Sequence, residues 1–286
     1  MTAEIKSDVD RIRPSTEVSL QKIQELEILD QITSYYEMRP PPRREFDQFP
    51  ATLNSIISQA REMESSVKGK MVAVLGDHDG LSLLLTRFCS PRKVIVLEFD
   101  EFTIGWIKKV ADNNNMPIEV VRYDLRSPYA EVQSTIGNID VVRTDPPYNC
   151  AGLECFSTRG AQMLAPSKGE LFICLPSGSP DWGQHVLYNM HHKILPTLGF
   201  SFVGFSGKPN HYPQIEGASS AFWHYKIQNS ISIKDTEFLF EIYHTSEDYC
   251  KHHVKCPFYL SCILSREHWK RHRWLSFTEP RLTVST

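Results

Sequence analysis

Met71–Gly80, read MVAVLGDHDG, is the stretch on which the fold turns. Val72, Ala73, Val74 and Leu75 run without polar interruption into Gly76. A short apolar run ended by a turn residue fits a strand buried on both faces of a parallel sheet. Beyond Gly76 the chain presents Asp77, His78 and Asp79, and after Gly80 the segment Leu81–Phe88 has a helical pattern. In an open α/β sheet, ligands bind in the crevice at the carboxyl ends of the strands. Two carboxylates therefore stand where a ligand is expected.

From Met71 onward, strand and helix patterns alternate as in stacked βαβ units. The expected strands are Val72–Gly76, Val94–Phe99, Glu119–Asp124, Val141–Asp145, Glu170–Leu175, Phe200–Phe205 and Phe238–Tyr243. Five strands with intervening helices, then two that close an edge as a hairpin, predict an α/β fold. It is the Rossmann-like fold of class I methyltransferases, a seven-stranded, mostly parallel sheet. The helix expected around Phe156–Leu164 has the faintest pattern. Residues 1–68 read as an N-terminal helical region, 69–245 as the Rossmann-like catalytic domain, and 246–286 as a basic tail containing Cys, His and Trp. Within the first region, Leu20–Tyr36 and Thr52–Met63 have helical spacing, and Arg39-Pro40-Pro41-Pro42-Arg43 breaks the helix between them. This region is expected to pack on the main domain and cover its substrate mouth.

The 286 residues, 41% of them hydrophobic, suffice for a sizeable core. No apolar run approaches a membrane span, and MTAEIKSDVDRIR lacks the apolar core of a signal peptide, so a soluble, cytoplasmic protein is expected. Seven irregularly spaced cysteines fit reduced thiols. A net charge of −3 argues against a generic nucleic-acid binder. From Cys250 to Thr286, seven Lys or Arg stand against two Glu, a surplus of +5 that leaves −8 for the rest. An acidic body can attract a cationic substrate.

Each strand end carries a candidate. Glu98 ends the second strand, where a carboxylate can accept both hydroxyl hydrogens of a ribose. Asp100 better suits the N-cap of the next helix. Asp124 ends the third strand and can accept from an adenine amino group. The fourth ends in Thr144-Asp145-Pro146-Pro147-Tyr148. There the diproline holds the Pro146 carbonyl outward, so that it and the Asp145 carboxylate can accept from one nitrogen. Tyr148 adds a π-face for a base or an ammonium. This resembles the DPPY motif of amino-methyltransferases, which alkylate exocyclic nitrogens with S-adenosylmethionine.

The first loop discriminates. Methyltransferases bring a glycine-rich turn to the methionine carboxylate of their donor, whereas GDHDG brings Asp77 and Asp79. Two carboxylates would repel a third but attract a donor that has lost its own. Decarboxylated S-adenosylmethionine, an ammonium and a sulfonium, is such a donor. The alternative, an aspartate capping the following helix, accounts for one of the pair.

YEMRPPPRREFDQ, GDHDG, YDLRSPY and TDPPYNCAGLECFSTRG together resemble the branched-chain polyamine synthases, the N(4)-bis(aminopropyl)spermidine synthases, over roughly Tyr36 to Tyr212. In that family the loop reads GDDD. Its last aspartate, the catalytic one, falls on Asp79, and His78 stands where the family has its middle aspartate. The resemblance implies transfer of an aminopropyl group from decarboxylated S-adenosylmethionine to a polyamine nitrogen, releasing methylthioadenosine. An amine with an ordinary pKa near 10 must lose a proton before it attacks, and a nearby carboxylate can take that proton or orient the nitrogen. Asp79 is then the expected base or orienting group. Asp145, Pro146 and Tyr148 hold the acceptor nitrogen, and Asp77 is a ligand of the donor or acceptor ammonium. Gly76, Asp77, Glu98 and Asp124 bind the donor, and no metal is expected. Histidine ordinarily titrates near neutrality, so His78 is a second proton acceptor, or it merely faces outward or packs.

The partners expected are a polyamine or other small amine and a second copy in a homodimer, with neither nucleic acid nor membrane. Cys250, Cys256 and Cys262 are spaced too widely for an ordinary structural zinc site. Arg266–Trp274 (REHWKRHRW) reads as a solvated terminal helix anchored by its tryptophans, and Asn210-His211-Tyr212-Pro213 as a candidate lining of the acceptor pocket. Two other functions compete: an S-adenosylmethionine-dependent N-methyltransferase acting on a nucleobase or protein amide, and a non-catalytic binding module. Donor preference separates the first. The second is disfavoured by Asp79, Glu98, Asp124 and Asp145 all standing at strand ends.

Overall fold

The computed structural model describes residues 27–177, 181–212, 219–228, 232–235 and 237–238. The chain divides after Arg39 into two compact units. In the first, residues 27–37 form a helix, α1. The second opens with the triple proline, a 3-10 turn at Arg44–Phe46 and the helix α2 (Leu53–Val67). Thr52 caps α2, its hydroxyl accepting from the Ser55 amide, and Ile56, Gln59, Ala60, Met63 and Val67 form its buried stripe. By pattern α2 belonged with the N-terminal helices; it is part of the sheet-bearing unit.

The sheet begins at β1 (Met71–Leu75) and alternates with helices through α3 (Leu81–Phe88), β2 (Lys93–Glu98), α4 (Glu101–Asn113) and β3 (Ile118–Arg122). It continues through α5 (Ala130–Ile136), β4 (Val141–Thr144), α6 (Cys150–Met163) and β5 (Glu170–Pro176). After α7 (Asp181–Asn189), a π-helical turn at Met190–Ile194 and the short α8 (Leu195–Thr197) come β6 (Phe200–Phe205), β7 (Asn210–His211) and β8 (Ser219–Ile227). Among the described residues the order is β3-β2-β1-β4-β5-β8-β6, with β7 paired to β8. The first five strands are parallel, and β8 lies antiparallel between β5 and β6. The strand order reverses between β1 and β4, which is where such sheets open their binding crevice. Register places Leu75 opposite both Leu97 and Thr144, so Gly76, Glu98 and Asp145 leave the sheet at one level.

Among the described residues the last strand of the sheet is β8; of the expected strand Phe238–Tyr243 only Phe238 is described, outside any strand, and residues 239–243 lie outside the described set. The Phe238 amide donates to the Arg126 carbonyl and its ring lies 4.9 Å from the Arg159 guanidinium, so this apolar position anchors a loop. The faint helix is a full α6, capped by Asn149 accepting from the Gly152 amide. Its pattern is faint because small residues let it lie close to the sheet; a Cβ at Gly160 would meet Val142 at 3.4 Å and Leu171 at 3.5 Å. Residues 1–26, Cys250, Cys256, Cys262 and Arg266–Trp274 lie outside the described residues. No described helix is long and apolar enough to cross a membrane.

Candidate active site

The loop from β1 to α3 is built from the inside. Gly76 and Gly80 both sit at positive φ, +67 and +69, and a Cβ on Gly80 would fall 2.5 Å from the Trp106 ring on α4. Between them Asp77 is fully buried. One of its oxygens accepts from the Leu81 amide (2.8 Å), the other from Ser82 (3.1 Å). The expected ligand of an ammonium is thus the cap of α3, because an N-terminus offers unpaired amides and a carboxylate satisfies them with favourable dipole alignment. Burial pushes the Asp77 carboxyl up to about 7. Its own amide goes to Glu98 Oε2 (2.9 Å), and the Gly80 amide returns to the Asp77 carbonyl. His78 is buried, with Nδ1 3.1 Å from the Thr103 hydroxyl.

Asp79 points the other way. Its Oδ1 accepts from the Ala51 amide (2.9 Å), and its Oδ2 pairs with the Arg143 guanidinium (3.2 Å). Arg143 lies on β4, within the sheet, and is 1% exposed. An arginine cannot shed its charge, so burial requires partners. They are Asp79 and the Gln59 amide oxygen (2.9 Å), with Cys174 Sγ at 3.9 Å.

At the end of β2, Glu98 is buried with Oε1 accepting from the Phe99 and Asp100 amides and Oε2 from Asp77. Burial raises its pKa against those three bonds. Asp100 caps α4, taking the Thr103 amide and hydroxyl, and is held by Arg43 (3.0 Å) and Gln48 (3.1 Å). Asp124, partly exposed after β3, is gripped by the Arg126 guanidinium at 2.7–3.1 Å.

Beyond β4, Asp145 remains partly exposed while Pro146 and Pro147 are buried. Tyr148 donates to its Oδ1 (3.0 Å) and Tyr212 to its Oδ2 (2.9 Å), and the two phenol oxygens are 3.2 Å apart. Burial pushes the Asp145 carboxyl up to about 6, opposed by Arg143 and aided by Asp79. Gly76, Asp124, Asp145 and Tyr148 are thus the partly open positions at the strand ends, with Glu98 and Asp79 just beneath. Asp79 pairs with Arg143, and both act through space on Asp145, whereas Asp124 follows β3, the outermost parallel strand. Sequence reading singled out none of Arg143, Gln59 and Ala51, and flagged Tyr212 only within a four-residue stretch.

The model of the branched-chain polyamine synthase A C-terminal domain matches residues 27–191, more than half of the chain. The chain belongs to the branched-chain polyamine synthase family. Its relatives in this family include the N(4)-bis(aminopropyl)spermidine synthase of Methanocaldococcus jannaschii, 36% identical over 156 residues, and that of Thermococcus kodakarensis, 32% identical over 141. Those stretches cover 54% and 48% of this chain but 43% and 40% of the relatives, so the chain spans under half of their length. The branched-chain polyamine synthase of Thermus thermophilus, solved with N4-aminopropylspermidine and 5'-methylthioadenosine, superposes with a TM-score of 0.63 at 19% identity. That match covers 74% of this chain and 66% of the other. A Pyrococcus horikoshii protein described as a putative RNA methyltransferase gives 0.52 at 15%, covering 66% and 91%. Both likenesses show the Rossmann-like methyltransferase fold.

Proposed function

We propose that the protein transfers the aminopropyl group of decarboxylated S-adenosylmethionine to a polyamine nitrogen, releasing methylthioadenosine. Family membership supports the reaction class, and one observation in this chain supports the donor. The α3 N-terminus, where a donor carboxylate would find amides and a favourable dipole, is filled by the protein's own carboxylate, Asp77. The amides of Gly76, Asp77, Gly80, Leu81 and Ser82 are all spent on partners within the chain. A methionine carboxylate would meet a closed cap; a bare ammonium would not need one.

Glu98 is the proposed ribose ligand. A carboxylate has about four acceptor positions, and three accept backbone amides, which leaves one for a ribose hydroxyl. Gly76 and Asp124 border the adenosine, with Arg126 holding the Asp124 carboxylate in place. Asp79, Asp145, the Pro146 carbonyl and Tyr148 face the acceptor amine. The sulfonium supplies the leaving group, so the protein's tasks are to desolvate, align and deprotonate the amine. A homodimer and a location in the cytoplasm belong to the same proposal. Among the described residues no three His, Cys, Asp or Glu side chains gather as a metal site requires.

Incubation with each donor and a panel of polyamines, with products weighed by mass spectrometry, tests this. The expected products are methylthioadenosine and a polyamine heavier by one or more aminopropyl groups. Methylated product from S-adenosylmethionine alone would sink the proposal in favour of N-methyl transfer.

A further inference from the structure

We propose that Gln59, on the buried face of α2, is a positioning residue for the reaction: through the Arg143 guanidinium it fixes the direction of the Asp79 carboxylate. This rests on the aminopropyl-transfer reading above, in which Asp79 faces the acceptor amine. A side chain that acts on a reacting nitrogen does so from a defined place, because the reacting atoms must be aligned. Asp79 stands on the loop after β1, and bonds from elsewhere in the chain give it a direction. The Ala51 amide donates to Oδ1 (2.9 Å) and Arg143 Nη2 to Oδ2 (3.2 Å). With a donor on each oxygen, the carboxylate is restrained against turning about its own axis.

Arg143 is itself a long side chain that needs holding. Its Nη2 carries two hydrogens; one goes to Asp79, and the other to Gln59 Oε1 at 2.9 Å. The Gln59 carbonyl therefore sets the rotation of the guanidinium. An amide can turn over and offer its NH2 end instead, and here Asn210 prevents it. Gln59 Nε2 donates to Asn210 Oδ1 (3.0 Å), and Asn210 Nδ2 donates to Ser220 Oγ (2.9 Å). Gln59, Asn210 and Ser220 are all buried, so each relies on the next for its hydrogen bonds. A turned-over Gln59 would set N–H against the guanidinium and carbonyl against carbonyl. The backbone fixes the approach as well. The Thr52 amide donates to the His211 carbonyl (2.9 Å) and the His211 amide to Ser55 Oγ (3.1 Å), which holds the start of α2 against β7.

The remaining buried stripe of α2 is Ile56, Ala60, Met63 and Val67 with Ser55, so Gln59 is the one amide on that face. Were it only a partner for a buried cation, its loss would weaken the protein alike whatever stood at position 79. A positioning residue instead loses its effect once no carboxylate is left to aim.

The test is a double-mutant cycle on kcat, with decarboxylated S-adenosylmethionine and spermidine, over the parent, Gln59→Met, Asp79→Asn and the pair. Gln59→Met keeps the volume and removes both ends of the amide. It should lower kcat about tenfold or more, the scale of a small misplacement, while KM for the donor changes by less than about twofold. Asp79→Asn should itself lower kcat by about 100-fold. On that background Gln59→Met should change kcat by less than about threefold, because the two act as one unit. If Asp79→Asn is too slow to follow, Arg143→Lys takes its place in the cycle, with the same non-additivity expected. Methylthioadenosine binding by calorimetry verifies folding. If Gln59→Met fails it, Gln59→Asn, which withdraws the amide by one methylene, carries the cycle. Equal losses in both backgrounds, turnover in Gln59→Met equal to the parent, or loss of methylthioadenosine binding in both Gln59 variants makes Gln59 a support of the fold and overturns this inference alone. A parent that transfers no aminopropyl group overturns the functional reading with it.

Discussion

At the level of single residues, Glu98 braces the loop with the same carboxylate that is proposed to hold the ligand. Three backbone amides converge on it from the ends of β1 and β2. Glu98→Gln turns one oxygen into a donor that must face an N–H, so two losses are expected together. Donor affinity should fall at least about tenfold, the scale of a charged hydrogen bond, and the melting temperature should fall even without ligand. Calorimetric titration and a thermal melt separate the two; unchanged donor binding would turn Glu98 into a purely structural brace. Asp77→Ser makes a complementary prediction. A serine still caps α3 but no longer plugs it with charge, so the affinity ratio of carboxylated to decarboxylated donor should rise, at a stability cost of about 1 kcal/mol. An unchanged ratio would remove Asp77 from donor choice. Glu98, Asp124 and Asp145 were legible in the sequence because a strand end is a fixed address. Arg143 was not: an arginine among Val142 and Thr144 reads as a surface break, and its burial depends on Gln59 and Asp79, far away in the chain.

At the level of elements, the same contrast separates β1 to β5 from the edge. A parallel strand buried on both faces is a continuous apolar run, as the interiors of β1, β2 and β5 are, and all five parallel strands fall close to their expected ends. β8 starts Ser219-Ser220-Ala221, residues small and polar enough to pass for a loop, and joins the sheet because β5 and β6 cover its flanks. The turn at Met190–Ile194 packs beside this edge. There His191 Nδ1 lies 2.5 Å from the Tyr225 hydroxyl and its ring rests against Trp223. Burial, with His192 nearby, pulls His191 down to about 4. Its native pKa lies below the ordinary 6.5, so the unfolded chain binds more protons between those values. The stability it contributes is complete above pH 6.5 and lost as pH falls toward 4. His191→Gln keeps an acceptor for Tyr225 without the titration, so its melting temperature should fall less over that interval. Parallel curves for parent and variant would show that His191 does not titrate there.

At the scale of the whole molecule, the central fact is that β1 and β4 are neighbours although two βα units separate them in the chain. That crossover brings GDHDG beside DPPY, and α2 with the residues just before it seals the seam, Ala51 binding Asp79 and Gln59 binding Arg143. The pairing of the two motifs follows from the order of a doubly wound sheet, so their meeting was legible. The seam was not, since α2 carries no motif and its part is set by which helix face lands on the sheet. Because the proposed donor site draws on the loops after β1, β2 and β3, its occupancy should be felt by the fold as a unit. A ligand that binds only the native state stabilises it by RT ln(1 + [L]/Kd), about 2.7 kcal/mol at a hundredfold excess over Kd. Methylthioadenosine and decarboxylated S-adenosylmethionine should therefore each raise the melting temperature by several degrees. S-adenosylmethionine at the same concentration should raise it less, because its carboxylate meets Asp77 at the capped end of α3. Thermal melts with the three nucleosides would check the order. Equal shifts from both donors would mean that the closed cap of α3 does not discriminate between them, and a larger shift from S-adenosylmethionine would reverse the proposed donor.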